Sequence, residues 1–144
     1  ATIASNLWVQ GTGNSVEVAG GSIDTGNLWV QGTSNSVEVA GGRIDAGNFQ
    51  VMGISHSVKV AGGRIDVEGI LYSDSLIQFS ASGKVTAHGD VDLPGLDGDG
   101  TMVLTGENAR WTNNPTVQIG YFDGDSTLIV ESNAPTPSFI MIIV

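Results

Sequence analysis

One phrase recurs three times from Asn6 onward: NLWVQGTGNSVEVAGGSIDTG, NLWVQGTSNSVEVAGGRIDAG and NFQVMGISHSVKVAGGRIDVE. Asn6, Asn27 and Asn48 mark the starts, so the period is 21 residues. The first two copies differ only at Gly13/Ser34, Ser22/Arg43 and Thr25/Ala46, and the third keeps 13 of the second copy's 21 residues. Text that returns at a fixed period means structure that returns with it, because each copy then meets equivalent neighbours before and after it.

Inside a copy, apolar and polar residues alternate, as in Leu7-Trp8-Val9-Gln10 and Ser15-Val16-Glu17-Val18, with Gly, Asn and Ser between the runs. That is strand periodicity. Three short segments at 7–10, 15–19 and 22–24 fit one copy, with turns at 11–14, 20–21 and 25–27. One copy cannot bury its apolar face alone. Stacked about 4.8 Å apart, each segment pairs in parallel with its equivalent in the next copy. The expectation is an all-β chain, a right-handed parallel β-solenoid (β-helix) of about six triangular coils over residues 1–134.

Differences between the copies assign the facing. Leu7, Val9, Val16, Val18 and Ile23 and their counterparts Leu28, Val30, Val37, Val39, Ile44, Phe49, Val51, Val58, Val60 and Ile65 stay apolar, so they face inward. Trp8 and Trp29 become Gln50, and Glu17 and Glu38 become Lys59, changes that a buried file would not tolerate. Asn6, Asn27 and Asn48 are expected to form a ladder of side-chain amides. Beyond Asp66 the phrase decays but its rhythm continues. A fourth coil reads with Ile70, Tyr72, Ile77, Phe79 and Val85 inward and Leu71 outward below Gln50. A fifth takes 91–93, a long corner at 94–100 and 101–104; a sixth takes 116–120 and 127–131.

With 5 Lys+Arg against 15 Asp+Glu the formal charge is −10, so nucleic acid and anionic membranes are repelled. No cysteine is present, which excludes disulfide and thiol chemistry. No apolar run reaches spanning length, so no membrane insertion is expected.

Several constellations invite a functional reading beside a plain one. Asp97, Asp99, Asp123 and Asp125 sit in Asp-Gly-Asp runs and could pool oxygens for a calcium ion, although Asp and Gly are also ordinary turn residues. Asp24, Asp45 and Asp66 form a file that is either a solvated charge ladder offset by Arg43 and Arg64 or a carboxylate pair of glycosidase type, which needs a separation of roughly 5–9.5 Å. Trp8 and Trp29 make an exposed aromatic ladder, fit for a sugar ring or partner, or simply for sheet packing. His56 stands where the other copies have Asn14 and Asn35, and His88 stands alone near a corner, so no zinc site is expected.

After 135–137 the chain ends in Phe139, Ile140, Met141, Ile142, Ile143 and Val144, an apolar strand at 135–144. It reads as a cap on the open end, as a strand donated to a neighbouring subunit, or as the remnant of a membrane-sorting tail. TGENARWTN at 105–113, VQIG at 117–120 and STLIVESN at 126–133 resemble the repeat of autotransporter passengers and PEP-CTERM-associated surface proteins. That resemblance implies a secreted or surface-displayed bacterial β-helix and transfers no catalytic residue. The expected function is thus an extracellular structural or adhesive module, not an enzyme, that associates with itself into a homo-oligomer or fibre and meets a carbohydrate or host surface. The alternative is a polysaccharide-binding or polysaccharide-cleaving β-helix.

Overall fold

The computed structural model describes residues 5–111, 116–120, 126–131, 133–135 and 140–143. Fifteen strands lie among them and no helix. In chain order they are β1 (Asn6–Thr12), β2 (Ser15–Val18), β3 (Ser22–Thr33), β4 (Ser36–Val39) and β5 (Arg43–Ile54). Then come β6 (Ser57–Ala61), β7 (Arg64–Val67), β8 (Leu71–Ser73), β9 (Ile77–Ala87) and β10 (Asp90–Asp92). The last five are β11 (Gly95–Leu104), β12 (Arg110–Trp111), β13 (Thr116–Ile119), β14 (Ser126–Val130) and β15 (Ile140–Ile143).

Every pairing is parallel, and in the repeats the partners are the textual equivalents: Asn6 with Asn27 with Asn48, Val16 with Val37 with Val58, Asp24 with Asp45 with Asp66. The protein is a parallel β-solenoid. It has three faces, which follow one another within each coil. The first carries β1, the later halves of β3 and β5, then β8, β10 and β12. The second runs from β2 through β4, β6 and the early parts of β9 and β11 to β13 and β15. The third stacks the early parts of β3 and β5 on β7, the later parts of β9 and β11, and β14. From Asn6 to Trp111 the chain climbs about five turns; β13 and β14 continue into a sixth, and β15 stacks one level above β13.

The core is a column of side-chain files. On the first face Leu28, Phe49, Leu71, Val91 and Trp111 stack in register and are completely or almost completely buried. Val37, Val58, Ile77, Leu96 and Ile119 do the same on the second, and Ile44, Ile65, Val85 and Met102 on the third. Each level fits the next because a parallel ladder places identical side chains directly above one another.

Three expectations need correction. The turn at 25–27 does not interrupt the ladder, since β3 and β5 run through that corner, and Thr25, at 3 % exposure, faces inward. Its hydroxyl lies 3.0 Å from the carbonyls of both Ser5 and Asn27 and has its one proton to donate between them. In the fourth coil the first strand is shifted by one residue. Leu71 is buried and Ile70 is 42 % exposed, while Tyr72 continues the outward file of Gln50. The reason is that Phe49 pairs with Leu71 but Val58 with Ile77, so the following corner is three residues shorter than in the repeats. Finally, 94–100 is not one long corner: Gly95–Leu104 is one strand, Leu96 fills the second-face file between Ile77 and Ile119, and the corner narrows to a register shift between Gly98 and Gly100.

Candidate functional site: outward files on the coil faces

Since the inward positions are used up by the core, any chemistry must come from the outward files and corners. At the corner entering the first face the amides of Asn6, Asn27 and Asn48 form the expected ladder. Asn27 Nδ2 donates to Asn6 Oδ1 and Asn48 Nδ2 to Asn27 Oδ1, both at 2.7 Å, and Asn48 Oδ1 accepts the Ile70 N–H. A second ladder closes the next corner. Asn35 Oδ1 accepts the Asn14 N–H, and its Nδ2 donates to the carbonyls of Gln31 and Gly11. One coil up His56, 6 % exposed, repeats this with a ring: Nδ1 accepts the Asn35 N–H at 3.1 Å and Nε2 donates to the Met52 carbonyl at 2.8 Å. His56 is therefore a corner plug. The signal was its occupation of an asparagine position.

On the first face Trp8, Trp29, Gln50 and Tyr72 form one outward file. The two indoles meet edge to face, 4.5 Å between centroids at 79°, and Trp8 is half exposed. Trp29 Nε1 is buried with no acceptor, a cost of about 1–3 kcal/mol that the packed indoles must offset. Gln10 and Gln31, bonded to each other, border the pair.

Higher on this face the Tyr72 hydroxyl donates to Asp74 Oδ1 at 2.6 Å, while Asp74 Oδ2 accepts the Gly53 N–H. The bond to Asp74, then burial and the carboxylate charge, favour the neutral phenol and push its pKa up to about 12 from 10.0. A pKa higher in the folded than in the unfolded chain stabilises the fold fully below the unfolded value and is lost as pH rises through the folded one, here between 10.0 and about 12. Asp74→Asn is expected to return the Tyr72 ionisation toward the ordinary phenol range in a tyrosinate absorbance titration. An unchanged titration would mean that the bond does not form in solution.

The third face carries the charges. Asp24, Asp45 and Asp66 are in register, as the text implied. Arg43 Nε donates to Asp45 Oδ1 at 2.7 Å, which raises the Arg43 pKa. His88, far from lying alone, has Nε2 3.0 Å from Asp66 Oδ1 and 4.0 Å from Glu68 Oε1. The ligand atoms of Asp66, Glu68 and His88 all lie within 4.8 Å of one another, a surface cluster of ionisable side chains that the sequence reading missed.

Of the four candidate calcium ligands, Asp97 lies in β11, 8 % exposed, with Oδ1 accepting the N–H of Gly98. Asp99 Oδ2 accepts the Ser82 N–H at 3.1 Å. Asp123 and Asp125 lie outside the described residues. Of the apolar tail, Ile140–Ile143 pair in register with Thr116–Ile119 of the same chain, whereas Phe139 and Val144 lie outside the described residues. Compared with known proteins, the chain matches no family model, no curated protein and no solved structure.

Proposed function

We propose that this chain is a structural or adhesive rod module of a bacterial surface, extracellular, whose coils are continued end to end by those of further copies. The observation that carries the reading is the strict vertical register of the coils, which lets a further coil pair with the first described one as that one pairs with the second. Leu7, Val16 and Ile23 are only partly buried, whereas their counterparts Leu28, Val37 and Ile44 are at 0 %, 1 % and 0 % exposure. Among the described residues β1 and β2 pair on one side only, so their other edge offers free N–H and C=O groups above an apolar floor. At the opposite end β15, among the described residues, pairs only with β13 on the second face. A head-to-tail contact between unlike ends does not close on itself and builds a filament. The likeness of 105–133 to surface-protein repeats supports the location. The tail, which the text allowed as a donated strand, takes part here as the chain's own last strand.

Val16→Lys tests this, because it puts a charge on the open edge without entering the closed column. Filaments in negative-stain micrographs, and fast-sedimenting species, are expected to disappear while the circular dichroism spectrum persists. Val37→Lys, one coil up, is expected to unfold the chain instead. Wild-type protein that stays monomeric at high concentration would overturn the proposal.

A second reading, polysaccharide binding, is favoured by the half-exposed Trp8 ring beside Trp29 and the two glutamines. Flat apolar faces rimmed by amides suit sugar rings. A neutral glycan that quenches indole fluorescence in the wild type and not in Trp8→Ala would support it.

A further inference from the structure

The chain has 5 Lys+Arg in all, and three of them stand in one file. Arg43, Arg64 and Lys84 pair in register on the third face, continuing from Ser22 and giving way to Thr101. All three are exposed. Adjacent strands lie about 4.8 Å apart, and like unit charges at such distances repel by about 1 kcal/mol even in water. In a chain of formal charge −10, carboxylates to relieve this are plentiful, and Asp45, Asp66 and Asp24 all act on Arg43 through space, yet the other two cations make no ion pair among the described residues. Arg43 is held by Asp45. Asp66, which stands to Arg64 as Asp45 does to Arg43, is engaged by His88 instead. Two residues beyond Lys84 stands Thr86, with no charge. Among the described residues neither Arg64 nor Lys84 has an ion-pair partner.

Beside this file the corner between the second and third faces is a groove of 410 Å³, with Gly42 and Gly63 on its floor and Ser82 at its upper end. The floor is bare for a packing reason. A Cβ on Gly63 would come within 2.6 Å of the Gly42 carbonyl oxygen and of Val39 Cγ1, so no side chain can stand there. Asp99, bonded to Ser82, closes the basic stretch above. The result is a shallow, open trench along the stacked coils, bordered on one side by the cation file.

We propose that this trench binds a polyanionic glycan, a single chain bearing carboxylate or sulfate groups, laid along the axis with its anions against Arg64 and Lys84. The Asp24, Asp45, Asp66 file lies just past the cations and repels a broad anion such as duplex nucleic acid. Single-stranded nucleic acid is held chiefly by aromatic stacking, and no aromatic residue lines the trench. A narrow chain with anions at a regular repeat meets both conditions. The inference stands apart from end-to-end assembly, because the trench lies on the side of the column.

Binding is tested by titrating the full chain with polygalacturonate and dextran sulfate, with neutral dextran, inorganic sulfate and a single-stranded oligonucleotide beside them. The acidic glycans are expected to bind, more weakly as salt rises, and neutral dextran not to bind. The double variant Arg64→Gln/Lys84→Gln is expected to weaken glycan binding about tenfold, the effect of two exposed charge contacts, with its circular dichroism unchanged. Lys59→Gln/Arg110→Gln, which removes two cations outside the trench, is expected to leave binding intact. Equal loss in both double variants, binding of inorganic sulfate as strong as that of the polymers, tighter binding of the oligonucleotide, or no glycan binding at all would each overturn the assignment.

Discussion

Phe49→Ala is expected to destabilise the fold by about 3–5 kcal/mol, the range for removing a fully buried aromatic ring whose site cannot collapse. Phe49 has no exposed surface and sits in the first-face file between Leu28 and Leu71, each itself at 0 % exposure. Above and below it are backbone ladders whose spacing is set by hydrogen bonds, so the coils cannot close over the void. For a domain whose total stability is of order 5–15 kcal/mol, that loss is a large share. Gln50, the next residue, points the other way, and Gln50→Ala is expected to change stability by within about 0.5 kcal/mol. Urea unfolding followed by circular dichroism measures both. Equal effects at the two positions would mean that the alternation of faces is wrong, and with it the assignment of every outward file.

The text made the facing legible wherever the phrase is intact, because three copies act as an internal comparison: Leu28 and Phe49 exchange, Trp29 and Gln50 exchange, and only the first pair keeps its chemistry. It failed where the phrase decays. Ile70 and Leu71 are both apolar, and a strand shifted by one residue turns every side chain to the other face, so composition could not choose between Leu71 and Tyr72 as the inward residue. Corner length decided it, and corner length is invisible in a period of two. Gly98 and Gly100 differ from each other. Gly98 is the turn residue its type suggests, with a φ of 84° at a register shift, whereas a Cβ on Gly100 would run into the Phe79 ring one coil below, so that glycine marks a close approach. Among the candidate sites, the asparagine and aspartate files followed directly from the repeat. The basic file did not, because Lys84 joins Arg43 and Arg64 only once the shortened fourth coil is laid in register, and the meeting of His88 with Asp66 and Glu68 needs the same step.

Asn35→Leu is expected to cost about 2–4 kcal/mol, although leucine is close to asparagine in size and far more apolar. Asn35 is 1 % exposed, and its side chain meets three backbone groups: the Asn14 N–H at 2.8 Å and the carbonyls of Gln31 and Gly11 at 2.8 and 3.1 Å. Asn14 lies between strands, and the two carbonyls belong to β1 and β3. Leucine would take the acceptor from the Asn14 N–H and a donor from each carbonyl, and that loss outweighs the apolar gain. Asparagine is needed because it carries a donor and an acceptor on one planar group. His56 meets the same requirement one coil up, with Nδ1 accepting and Nε2–H donating. His56→Asn, which restores the residue of the other copies, is therefore expected to be tolerated within about 1 kcal/mol, whereas His56→Leu should cost about 1–3 kcal/mol by stranding the Asn35 N–H and the Met52 carbonyl. Denaturant midpoints of the three variants measure the contrast. Should His56→Asn prove as damaging as His56→Leu, ring volume rather than the paired donor and acceptor would be what the corner selects.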